Sequence, residues 1–158
     1  LNDGIRVLSR LLAKSKDSTG VKIRFTDQKK SSKSLSFQIF NAKNAEKERL
    51  YPDLLKRART VLKQVDRGLQ IVRSGAGESE QKEKWVLSLA HYRDLMQHVI
   101  DQTQRRVIDK ESVHSSKKFV SLFEPHTDII VKGFRDVQYG HKINLSSERR
   151  EQSDVERS

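Results

Sequence analysis

Between Ala45 and about Lys110 the apolar residues step by three and four, with one interruption. That rhythm limits the fold more than anything else in the chain. Leu54, Ala58, Val61, Leu62, Val65, Leu69 and Val72 form the first stripe. Trp85, Leu89, Tyr92, Met96, Val99, Thr103 and Val107 form the second. Between them "SGAGESEQ" (74–81) reads as a turn and a new helix start, with Glu78 and Glu80 in the first turn, where the helix dipole favours acids. Two long stripes joined by a short Gly-containing turn predict an antiparallel helical hairpin. Each helix is well above the mean of roughly 11–12 residues. Pro52 either kinks the first helix or marks its true start.

The 158 residues are about enough for one domain. Hydrophobic residues make up 34% and charged residues another 34%, which suits solvated helices better than a thick core. The 32 Lys and Arg outnumber the 21 Asp and Glu, for a formal net charge of +11. Basic clusters gain affinity by releasing counterions from phosphate, so a polyanion is the first expected partner. The absence of cysteine excludes disulfides and thiolate metal sites. No apolar run approaches the roughly 18 residues of a membrane span, and no signal peptide is recognisable.

The opening "LNDGIRVLSRLLAKSK" places Leu1, Ile5, Leu8, Leu11 and Leu12 on one helical face, with Asn2 as the expected N-cap. "DSTG" ends that helix, and its apolar face calls for a neighbour. Val21, Ile23 and Phe25 alternate as in a short strand. Leu35 and Ile39, with Phe37 and Phe40 nearby, predict a helix beginning near Ser32. Lys29, Lys30 and Lys33 form a small basic cluster among serines. This is either a phosphate contact or a solvated turn. His91 and His98 are seven residues apart, whereas a zinc-gripping pair on a helix is spaced by four, so they read as packing or surface residues.

After the polar connector "ESVHSSKK" (111–118) the character changes. "FVSLF" and "DIIV" are short apolar runs, and "VQYGHKINL" alternates around Gly140, predicting two or three strands. "SSERREQSDVERS" has no apolar periodicity and reads as a disordered tail over 146–158.

The run from Phe123 to Lys142, with FEPHTD and YGHK, resembles a segment of bacterial insertion-sequence transposases of the DDE class, the ISNCY-type group in particular. "LNDGIRVLSRLL" is similar to the stretch that follows the first catalytic strand in that group. The resemblance implies an α+β but predominantly helical chain, an incomplete ribonuclease H-like domain interrupted by the long antiparallel helical hairpin. It implies a start of that domain over 1–29, a helical insertion over 30–112 and returning strands over 113–145. It also implies DNA transposition, with transposon ends as partner and Mg2+ or Mn2+ held by three carboxylates in the full-length family. None of the three carboxylates can be placed on this chain, so the expectation is an internal fragment with no catalytic residue, inactive alone and cytoplasmic in a bacterium. A homo-oligomer is left open and no membrane partner is expected.

Two sets of residues follow as candidates. Lys29, Lys30, Lys33, Lys132, Arg135 and Lys142 are the expected DNA contacts, although the last three also suit a sheet edge guarded by charge. Glu124, His126, Asp128 and His141 are expected to support the site or to fix a turn by backbone hydrogen bonds. A metal cluster built from them is the third reading. The alternative to a transposase fragment is a stand-alone basic helical interaction module without catalysis.

Overall fold

The computed structural model describes residues 1–75, 77–114, 118–119 and 121–123, together with the backbone of residues 128–132 and 136–140. Helices dominate. α1 spans Asn2–Ala13, α2 Ser15–Thr19, α3 Lys29–Asn41, α4 Asn44–Ser74 and α5 Glu80–Thr103. α5 runs on into a π-helical turn, Gln104–Ile108. Among the described residues no helix is long and apolar enough to cross a membrane.

The helical hairpin is present, formed by α4 and α5. Arg93 bonds Asp66 and Arg59 bonds Gln104, so residues later in α5 meet residues earlier in α4. Pro52 lies well inside α4 rather than at its start. The turn starts α5 at Ser79, whose hydroxyl accepts the Lys82 backbone N–H at 3.1 Å. Lys82 Nζ reaches back to the carbonyls of Gly75 (3.1 Å) and Gly77 (2.7 Å), satisfying groups that the end of α4 and the turn leave open. Glu80 and Glu83 occupy the first turn, while Glu78 precedes the cap.

The expected fold class is overturned. In an interrupted ribonuclease H-like domain, the first residues would pack on a mixed sheet and the hairpin would stand apart. Instead α1 buries Ile5, Leu8 and Leu12 in one core with Leu35 and Ile39 of α3, Leu55 to Val72 of α4, and Trp85, Leu89, Met96 and Ile100 of α5. The neighbours that α1 needs are the other helices. Gly4 makes this approach close, because a Cβ there would fall far inside contact distance of Met96 Sδ. Trp85 Nε1 donates to the Leu11 carbonyl at 2.8 Å, closing one of the acceptors freed at the end of α1.

The strand expected over Val21–Phe25 is not formed. Residues 21–28 run irregularly over α4, and their backbone groups find side chains instead of a ladder. Ile23 N–H donates to Ser15 Oγ at 3.1 Å. The Gln64 carboxamide, with its oxygen turned to Thr26, accepts the Thr26 N–H (3.1 Å) and donates to the Thr26 carbonyl (3.3 Å). Ile23 itself is buried against Gly68 and Leu12, near where a Cβ on Gly68 would sit. Asn2 is not the cap either. Leu1 holds that position, and Asn2 Oδ1 accepts from Ser32 Oγ at 3.0 Å, tying α1 to α3.

Strand pairing among the described residues is confined to one antiparallel hairpin, β1 (Asp128–Lys132) with β2 (Asp136–Gly140). Its register pairs Asp128 with Gly140, Ile130 with Gln138 and Lys132 with Asp136. The disordered tail expected over 146–158 lies outside the described residues.

Candidate nucleic-acid interface

The apolar face of α4 turns towards α1, α3 and α5, and this decides where its cations go. Arg57 points at α3, where Nη1 donates to Gln28 Oε1 (3.0 Å) and Ser31 Oγ (2.8 Å). Asp66 and Arg59 point at α5. The arc left to solvent carries Arg49, Lys56, Lys63 and Arg67, all exposed and spaced by seven, seven and four residues, with one acid, Asp53, exposed between the first two. At 3.6 residues per turn these align on one face about 27 Å long, at 1.5 Å per residue.

The pairing of charges is uneven over the surface. On the α5 side, cations meet acids. Arg93 bonds Asp66 at 2.9 Å and Asp94 at 3.2 Å, and Lys84 bonds Glu80 at 2.5 Å. Arg105 bonds Glu111 at 2.6 Å, and Lys110 pairs with Glu48. The hydrogen bond to Asp66 raises the basicity of Arg93 above the ordinary guanidinium value, outweighing its partial burial. Among the described residues, Arg49, Lys56, Lys63 and Arg67 are in no ion pair. Lys22 and Arg24, exposed on either side of buried Ile23, are also in no ion pair among the described residues.

α3 adds the lysines that the sequence singles out. Lys29 pairs with Asp27 at 3.2 Å. Lys30 and Lys33 are exposed on the outer face of α3 and form no ion pair among the described residues. The bonds from Arg57 to Gln28 and Ser31 set the first turn of α3 beside α4 near Lys56. Lys29, Lys30 and Lys33 thus sit together on the first turns of α3, beside α4 cations that sequence reasoning missed. The missed signal was readable, since the α4 cations recur at 49, 56, 63 and 67 while the apolar stripe occupies the other positions.

The remaining candidates are not brought into this interface by any described contact. Asp128 and Lys132 occupy opposite ends of β1, with only their backbone described. Glu124, His126, Arg135, His141 and Lys142 lie outside the described residues. His91 and His98 are exposed on α5, and the His91 ring meets Tyr92 edge-on at 5.3 Å. Among the described residues no group of His, Asp and Glu is arranged to hold a metal ion.

No protein-family model, curated protein or solved structure matches this chain.

Proposed function

We propose that this chain is a helical DNA-binding module that lays its α4 stripe and the first turns of α3 along phosphates. The supporting observation is the row Arg49, Lys56, Lys63 and Arg67, exposed along one face of α4 and in no ion pair among the described residues. Cations left unpaired in a row repel one another, and a polyanion relieves that repulsion while releasing its own counterions. Nothing in the row distinguishes one base from another, so the binding is to backbone and carries no sequence preference.

The context we assign is transposition, in a bacterial cytoplasm. The resemblance of Phe123–Lys142 and of the opening "LNDGIRVLSRLL" to DDE insertion-sequence transposases supports it. In that context the chain contributes DNA contact, while strand cleavage and its Mg2+ or Mn2+ belong to carboxylates that this chain does not carry.

A salt titration of duplex binding is the test. With four to six cations engaged, log K should fall with log salt at a slope of about −4 to −5, from roughly −0.9 per phosphate neutralised. The double substitution Lys63→Gln/Arg67→Gln should weaken binding to all duplex sequences and shallow the slope by about 2. No duplex binding at low salt refutes the proposal and favours the alternative, a protein-interaction module.

A further inference from the structure

The outer face of α3 does something that the α4 stripe does not. Phe37 is 69% exposed and Phe40 81%, while Leu35 and Ile39 of the same helix are buried. Helical spacing sets Phe37 and Phe40 side by side, with Phe37 one turn beyond Lys33 and two turns beyond Lys30. On the far side, Phe40 and Lys47 border one open depression. Ser36, with its hydroxyl buried, and Asp3, paired with Arg6, also line it. The order along the surface is therefore cations, two rings, then a further cation.

We propose that this face takes single-stranded nucleic acid, with unpaired bases stacked on Phe37 and Phe40 and their phosphates on Lys30, Lys33 and Lys47. The inference rests on the DNA-binding reading and adds the strand form that is bound. Charge complementarity chooses the occupant. Two copies joined through this face would set lysine against lysine on chains that each carry +11. Two rings are too little apolar surface to anchor a membrane-lying helix, which needs a continuous apolar stripe. Bases need only a ring face each, and stacking tolerates any sequence, as does a phosphate track. Duplex DNA hides its base faces, so the rings add nothing to duplex binding.

Fluorescence anisotropy with labelled oligothymidine and with a duplex of equal length tests this on the full chain. Both rings are exposed, so Phe37→Ala/Phe40→Ala leaves the core intact, which circular dichroism checks. The expected result is at least a tenfold loss of affinity for the single strand and less than a twofold change for the duplex. Phe37→Trp should restore single-strand binding, with its own fluorescence quenched on stacking. An equal loss on both DNAs, or no loss on either, overturns the proposal while leaving phosphate binding by α4 standing. Failure of the unsubstituted chain to bind either DNA removes both readings. A loss confined to self-association, or to binding of anionic phosphatidylserine vesicles, would reassign the face and overturn the proposal.

Discussion

Gly4 tests whether α1 belongs to the same core as the hairpin. A Cβ there would overlap Met96 Sδ and lie 3.3 Å from Cε and 3.4 Å from Cγ. Met96 is flexible in principle, but it is fully buried, so its thioether has no open space to swing into. Overpacking of this kind costs about 1–3 kcal/mol. Against it stands the intrinsic gain of Ala over Gly in a helix, at most about 1 kcal/mol. Gly4→Ala should therefore destabilise by about 1 kcal/mol, lowering the melting temperature by about 2–4 °C for a chain of this size. Met96→Ala alone should cost about 2–5 kcal/mol, because it empties buried volume. In that background the clash is gone, and Gly4→Ala should become neutral or stabilising by up to about 1 kcal/mol. The two changes are thus coupled by about 1–2 kcal/mol, measurable by urea denaturation of all four proteins followed by far-UV circular dichroism. Additive effects, or a stabilising Gly4→Ala in the unsubstituted chain, would mean that α1 does not pack on α5.

Two smaller changes probe polar groups. Ser9 is fully buried on α1, and its hydroxyl has no partner among the described residues, so Ser9→Ala should raise stability by about 1 kcal/mol in the same assay. A loss of that size would mean that the hydroxyl is bonded in solution. Ser79→Ala removes the cap of α5 and should cost about 1 kcal/mol, with hydrogen exchange quickening in the first turn of α5. Unchanged exchange there would show that Lys82, through Gly75 and Gly77, holds the turn alone.

The hairpin was legible because each stripe is long enough to beat any competing period, as Leu54–Val72 and Trp85–Met96 show. The apolar face of α1 was legible for the same reason, but an apolar face does not say what covers it. Sheet and helix bury Ile5, Leu8 and Leu12 equally well, and a resemblance filled that gap with a sheet where the molecule uses helices. Val21–Phe25 has the alternation of a strand, yet alternation reports only an extended backbone. Ser15, which accepts the Ile23 N–H, and Gln64, which bonds Thr26 just beyond the segment, are invisible to a reading of the alternation alone. Asn2 misled in the same way, since its oxygen serves Ser32, thirty residues on. The α4 cations needed only a helical projection. Which acid leaves the stripe is a tertiary fact, since Asp66 turns to Arg93 while Asp53 stays exposed near Arg49 and Lys56.

The electrostatics of α3 bind its stability to its proposed role. Its first two turns hold Lys29, Lys30 and Lys33 and no acid, although the dipole makes that end positive. Each exposed cation so placed costs roughly 0.3–1 kcal/mol at low ionic strength. Asp27, bonding both the Lys29 backbone N–H and its side chain, offsets part of this. Arg57 adds another positive charge close by, held by neutral Gln28 and Ser31 and by no carboxylate. What keeps α3 in place is therefore the burial of Leu35 and Ile39 and the Ser32–Asn2 bond, acting against its own charge. A phosphate arriving at this end removes the repulsion. Part of the binding free energy is thus stabilisation of α3, and a ligand that binds only the folded form raises stability in proportion. Salt screens the same repulsion in the free protein, so salt should firm α3 while it weakens DNA binding, two opposite trends from one set of lysines.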